Sequence, residues 1–164
     1  IDVIADLKRY EEEKRQKTYD FVIELEVTCP LRNLQDIEES LNQLIENKRA
    51  HIVVGVSPVT KNPYYNMWEK QENGFWNLSK KRTETIHTRQ SAPEIYASNG
   101  MVYIMRPSFF ENGYKSIVTD KTDLYVAKHM CFDLDEMIDL HFMEYVISNN
   151  KLDFDMGLNN DKNE

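Results

Sequence analysis

The stretch CFDLDEMID, residues 131–139, sets Asp133 and Asp135 two positions apart, just ahead of an apolar helical pattern. In an extended strand, residues i and i+2 share a face. Two carboxylates so placed repel each other unless something lies between them. A hard divalent cation is one answer, since such ions take carboxylate oxygens. Helix capping is another: Asp135 is a good N-cap type, and Asp133 lies just outside it, near the positive end of the helix. Spacing alone leans toward capping and leaves both readings open.

Two further stretches carry groups that could work beside this pair. Glu26 to Arg32, EVTCPLR, follows an apolar run, and RQSAPEIYASNG, residues 89–100, puts Arg89 and Asn99 just ahead of another. In open α/β sheets, ligands bind outside the carboxyl ends of the strands. Together the three stretches offer carboxylates for a cation, donors and acceptors for hydroxyls, and a guanidinium for a carboxylate or phosphate. There is no GxxxxGK[ST], GxGxxG or HExxH pattern and no nucleophile elbow. His51, His87, His129 and His141 show no ligand spacing.

These residues must be positioned by elements that the sequence outlines. Residues 4–17 are rich in helix formers with a charged face and predict a helix. Tyr19 to Val27, YDFVIELEV, predicts a strand with Glu24 and Glu26 on one face. Ile37, Leu41, Leu44 and Ile45 form a helical stripe, with Asn33 and Asp36 as a start signal. HIVVGVSPV is a buried strand. Strand, helix and strand together predict a βαβ unit with a parallel arrangement and right-handed crossover. MVYIM and DLYVAKH read as further short strands, and Asp135 to Ser148 as an amphipathic helix.

Between these, residues 58–95 break the α/β rhythm. ENG ahead of FWNLS predicts a hairpin turn. The segment reads as an arm whose Tyr64, Tyr65, Met67, Trp68, Phe75 and Trp76 either anchor a second subunit or pack on their own domain. The expected organisation is an α/β core over residues 1–57 and 96–148, the arm over 58–95, and a flexible acidic tail over 149–164.

Composition narrows the function classes. The chain has 164 residues, 41% of them apolar, which suits one globular domain with a sizeable core. A net charge of −8 argues against a nucleic-acid or acidic-membrane surface, since both need clustered Lys and Arg. No apolar run approaches membrane-spanning length. Two cysteines without metal spacing read as free thiols in a reducing, cytoplasmic setting.

In order and spacing, five motifs resemble those of the CMP-sialic acid synthetases, the acylneuraminate cytidylyltransferases. They are IELEVTCPLR (23–32), HIVVGVS (51–57), NPYYNM (62–67), RQSAP with NGMVYI (89–93 and 99–104), and CFDLD (131–135). The resemblance runs over roughly residues 1–148. It implies a nucleotide-diphospho-sugar-transferase-like, Rossmann-like mixed sheet with a small dimerisation arm. It implies a Mg²⁺-dependent transfer of CMP from CTP to a nine-carbon, sialic-acid-like 2-keto sugar acid, with release of pyrophosphate, by a homodimer. Asp133 and Asp135 fall on the family's metal aspartates, so the resemblance favours the metal reading. Arg89 falls on the arginine of the RQ motif, used near the substrate across the dimer. Asn99 and Tyr103 fall on the NG-IYI motif, and Thr28 on the threonine of the loop that ends in PLR.

This chain departs from that pattern at several positions. Glu26 stands where the family usually has a substrate-binding Gln, and Cys29 replaces a Ser. Tyr65 stands where some members have a lysine, and Ala97 where some have an arginine. These changes point away from neuraminate and toward the relatives that activate legionaminic or pseudaminic acid. The family's first strand and its basic, Gly-containing loop for the CTP phosphates have no counterpart here. The expectation is therefore the C-terminal two-thirds of a longer enzyme, incomplete by itself. The alternative is an incomplete fragment or homologue acting as a dimerising, sugar-binding module.

Overall fold

The computed structural model describes residues 1–80 and 89–157, with the backbone alone for Arg89. The chain divides into two compact units, Ile1–Val56 with Ser98–Glu164, and Ser57–Ala97.

The first unit is α/β, built on a four-stranded mixed sheet. Its helices are α1 (Asp2–Arg15), α2 (Leu34–Glu46), α3 (Pro107–Glu111) and α4 (Met137–Ser148). Its strands are β1 (Val22–Glu24), β2 (Ile52–Pro58), β5 (Tyr96–Met105) and β6 (Thr122–Val126), in the order β1-β5-β2-β6. β1 runs antiparallel to β5, with Val22 opposite Met105 and Glu24 opposite Tyr103. β2 runs parallel to β6, with Ile52 opposite Thr122.

Alternation along the strands sends side chains to two faces. Val53, Val102, Ile104 and Tyr125 meet Leu44 of α2 on one side. Ile52, Val54, Tyr103 and Met105 meet Phe109 of α3 on the other, with Ile4 of α1 at the margin. Burying both faces explains why β2 reads as a continuous apolar run rather than an alternating one.

The start of α2 forms as its sequence requires. Asn33 Oδ1 accepts the Asp36 N–H at 3.0 Å, and Asp36 Oδ2 accepts the Asn33 N–H at 2.8 Å, a reciprocal capping box. Two expectations need correction. The strand predicted over Tyr19–Val27 is regular only over Val22–Glu24: its ladder with β5 ends at Glu24 opposite Tyr103, short of Gly100, where β5 turns into left-handed backbone (φ 69°). β1 and β2 are also not neighbours: β5, from much later in the chain, lies between them. Local strand-helix-strand reasoning has no access to such an insertion.

The second unit contains β3 (Trp68–Lys70) and β4 (Trp76–Leu78), an antiparallel hairpin. Its turn is closed by Gln71 N–H to the Phe75 carbonyl at 2.8 Å, with Gly74 at φ 83°. A left-handed residue at that place is why ENG marks the turn. NPYYNM folds as a tight bend around Asn62, whose carbonyl accepts the N–H groups of Tyr65, Asn66 and Met67. Asn62 Nδ2 also donates to the Pro93 carbonyl at 3.0 Å. Trp68, Phe75 and Trp76 are exposed in this unit.

The described part of the tail, through residue 157, makes specific contacts. Phe154 stacks on His129 with ring centroids 3.7 Å apart, and both Asp153 oxygens accept the Met130 N–H. Among the described residues, no helix is long and apolar enough to cross a membrane.

Candidate functional site

The kink at Gly100 organises the site. A Cβ built on Gly100 would lie 2.5 Å from Glu26 Oε2, so the bare glycine leaves the space that the Glu26 carboxylate occupies. The Glu26 N–H donates to the Gly100 carbonyl at 3.3 Å, tying the end of β1 to the kink. Asn99, buried, accepts the Met101 N–H on its Oδ1 at 3.1 Å. It sits against Gly55 of β2, where a Cβ would come within 3.0 Å of that same oxygen. Gly55 thus lets β5 approach closely enough for Asn99 to brace the kink.

Arg32 fixes the loop that follows Glu26. Its guanidinium donates to the Met101 carbonyl and to the Glu26 carbonyl, each at 2.6 Å. The planar fork spans two backbone acceptors on different segments, which a lysine could not do in one geometry. Arg32 is therefore a positioning residue for Glu26, occupied by backbone and not held out toward a ligand.

The Asp133 segment joins the same loop through the Leu134 N–H, which donates to the Thr28 carbonyl at 2.8 Å. The structure thereby brings Glu26, Thr28, Tyr103 and Asp133 into one neighbourhood, although the sequence spreads them over more than a hundred positions. Thr28 and Asp135 are exposed, while Glu26 and Asp133 are half-buried. Asp133 Oδ1 accepts the Leu134 N–H at 3.0 Å.

Asp135 does not cap α4. Glu136 is the N-cap, paired with Asp139 in a capping box, and Asp139 Oδ2 also accepts the Asp135 N–H at 3.1 Å. With Asp139 serving the helix start, the side chain of Asp135 is left to other uses. Arg89 opens a 3-10 turn, Arg89–Ser91, in the second unit, and its side chain lies outside the described residues.

The electrostatics of the site are one-sided. Tyr103 is buried, and its hydroxyl is held protonated above the ordinary phenol range, by burial first, then by the Glu26 carboxylate as hydrogen-bond acceptor and by the charges of Glu26, Glu24 and Asp133. Glu24, cross-strand from Tyr103, has its carboxyl pushed up by burial and then by Glu26. Negative charge accumulates here around one neutral phenol. A hydroxyl-bearing ligand or a hard cation would relieve it.

Asp133 and Asp135 are the residues that could hold the Mg²⁺ implied by the resemblance. This ion keeps several waters and is commonly bound through one or two carboxylates plus substrate phosphates. Asp133 and Asp135 supply two hard carboxylates, and among the described residues no third acidic, His or Cys group completes a protein-only cage.

The structure also brings together a pair that sequence reasoning missed. Cys29 and Cys131 place their sulfurs 3.0 Å apart and are both free thiols. The contact with Cys131 holds the Cys29 thiol below its ordinary range, whereas the Cys29 contact and then burial push Cys131 up. A signal was available: Cys29 follows Thr28, and Cys131 precedes Asp133 by two. Any fold that joins those two motifs also joins the thiols.

No protein-family profile matches the chain. Two curated proteins do. One is a post-translational flagellin modification protein B of Campylobacter coli, 28% identical over 153 residues, covering 93% of this chain and 63% of that protein. The other is a CMP-N,N'-diacetyllegionaminic acid synthase of Campylobacter jejuni, 30% identical over 150 residues, covering 90% of this chain and 61% of that protein. The resemblance carried by the five motifs is thus borne out by homologues of the legionaminic and flagellin-modification kind. The chain spans about three fifths of the length of both relatives.

Proposed function

We propose that this chain is part of a cytidylyltransferase that transfers CMP from CTP to a legionaminic-type nine-carbon 2-keto sugar acid and releases pyrophosphate. The fold proposed with it is of the nucleotide-diphospho-sugar-transferase type. The observation that carries the reading is the Leu134-to-Thr28 hydrogen bond, which joins the two motifs that must cooperate in such a site. The name of the Campylobacter jejuni relative supports the reaction class, and it favours an enzyme over a non-catalytic module.

Phosphoryl-type transfer is mostly positioning and charge stabilisation. Asp133 and Asp135 would hold Mg²⁺, which when bound neutralises the triphosphate. Glu26 accepts hydrogen bonds from hydroxyls of the sugar, and its charge, in place of the family's Gln, selects among sugar acids. The Tyr103 hydroxyl keeps its proton, donates it to the Glu26 carboxylate and so orients that group, while its oxygen can accept from a ligand hydroxyl. Asn99 and Arg32 hold Glu26 and the Thr28 loop in place. Arg89 receives the sugar carboxylate. The arm, residues 58–95, with Trp68, Phe75 and Trp76 exposed, is proposed to meet a second copy in a homodimer. The setting proposed is the cytoplasm, where CTP is supplied.

The test is pyrophosphate release by the full-length gene product with CTP, Mg²⁺ and a legionaminic-type acid. Asp133→Asn is expected to lower turnover by roughly 100-fold or more while the circular dichroism spectrum is unchanged. Near-parental turnover in that variant would sink the assignment. Arg89→Ala is expected to raise the sugar KM more than the CTP KM, and equal losses would remove Arg89 from the sugar carboxylate.

A further inference from the structure

The proposed transfer makes no use of Cys29 and Cys131. Their sulfurs meet at 3.0 Å although 102 residues separate them in the chain. Cys29 is fully buried and Cys131 half-buried. A disulfide bond is ~2.05 Å long, so bonding requires the sulfurs to close by about 1 Å. That is a side-chain adjustment, because the Leu134-to-Thr28 hydrogen bond already holds the two backbone segments side by side.

We propose that Cys29 and Cys131 form a reversible dithiol–disulfide pair, closed by a hydroperoxide, that clamps the Thr28 loop to the Asp133 segment. The half-buried Cys131 is the sulfur that a small peroxide reaches, and the 3.0 Å contact lets its proton pass to the Cys29 sulfur as it attacks. Its sulfur bonds one peroxide oxygen as the O–O bond breaks, giving a sulfenic acid and, from hydrogen peroxide, one water. The Cys29 sulfur then displaces the sulfenic oxygen, which leaves as a second water, and the S–S bond forms. The two thiols together lose two electrons and two protons, and the peroxide is reduced. A small dithiol reverses the step by exchange.

Closure would tie the two site-bearing loops by a covalent bond where one backbone hydrogen bond now serves. The loop it closes is long, so the oxidised chain loses more unfolded-state freedom than a short bridge would remove. The proposal stands on the thiol contact and requires neither Mg²⁺ nor a nucleotide, so it survives or fails independently of the transferase reading.

The experiment exposes the folded, full-length protein to hydrogen peroxide, alkylates the remaining thiols and maps the peptides by mass. The expected result is a peptide pair linked through Cys29 and Cys131 within single chains, lighter by two hydrogens. Both thiols disappear together, the thermal midpoint shifts upward, and dithiothreitol restores the starting state. Three results would overturn the proposal: over-oxidation of Cys131 with Cys29 still reduced, links between chains, or a link that forms only after denaturation. Cys131→Ser is expected to leave Cys29 unmodified by peroxide, since that sulfur is buried. Oxidation of Cys29 in that variant at the parental rate would count equally against the proposal.

Discussion

Two acidic regions of the first unit are built in opposite ways. At α2 and β6, Asp36 and Glu39 are surrounded by donors. Asp36 accepts from the Asn33 N–H, from the Tyr125 hydroxyl at 3.1 Å and from His129 Nε2 at 2.9 Å. Glu39 accepts from Lys128 at 2.7 Å and from Gln35, and shares with Asp36 the single proton of the Tyr125 hydroxyl. At β1 and β5, Glu24, Glu26 and Asp133 instead surround the neutral Tyr103. Carboxylates with complete donor shells hold a fold together. At the second region, burial and the neighbouring Glu26 disfavour the ionised form of Glu24, the mark of a site placed for something other than holding the fold.

The comparison can be broken most forcefully at Asp36. Asp36→Ala removes a capping-box member and leaves the Tyr125 hydroxyl and a His129 ring nitrogen buried without this acceptor. A loss of about 3 kcal/mol or more in urea unfolding is expected. A loss below about 1 kcal/mol would mean that this region is not the structural one.

Next in size is Gly100→Ala. It places a β-carbon in left-handed backbone and against the Glu26 carboxylate, and should cost about 1–3 kcal/mol. Adding Glu26→Ala should recover part of that loss, because the two groups compete for one space. Strict additivity in the double-mutant cycle would show that they do not meet.

Acid titration sharpens the contrast at smaller scale. Lys128 first, then Gln35 and Tyr125, draw the Glu39 carboxyl from 4.5 down to about 2. A depressed folded value means that its stabilisation is complete above about 4.5 and is lost as pH falls toward 2. Glu39→Gln should therefore flatten the stability curve in that window, and an unchanged slope there would refute the role of Lys128.

The smallest effect has the opposite sign. Burial raises the folded value of Glu24, so its ionised form costs stability as pH rises through that value, and the cost is absent below 4.5. Glu24→Gln should stabilise the protein by less than about 1 kcal/mol at neutral pH and raise the thermal midpoint slightly. A lowered midpoint would show that Glu24 has a cationic partner.

What could be read from the sequence follows from how local each feature is. The α2 start was legible because Asn33 and Asp36 satisfy each other three residues apart. The β3–β4 turn was legible because Gly74 supplies a conformation that few residues adopt. The clustering of Glu26, Thr28 and Asp133 was accessible through the five ordered motifs and not through periodicity, since their meeting depends on long-range pairing. Arg32 was given no role from the sequence, because a guanidinium near a strand end looks the same there whether it awaits an anion or spans two carbonyls. The position of β5 was illegible for a related reason: each strand carries apolar residues for both faces, and nothing local names the neighbour.

That position of β5 also dictates an order of events during folding. β1 reaches the sheet through β5, by Val22 opposite Met105 and Glu24 opposite Tyr103, so its ladder closes a very long loop. Closing such a loop is entropically slow compared with helix formation or hairpin closure. On the ribosome, Glu24 and Glu26 are made early and wait, unpaired, until the Gly100 kink has been synthesised. The acidic site is thus a late product of folding, and a chain stalled before β5 cannot carry it.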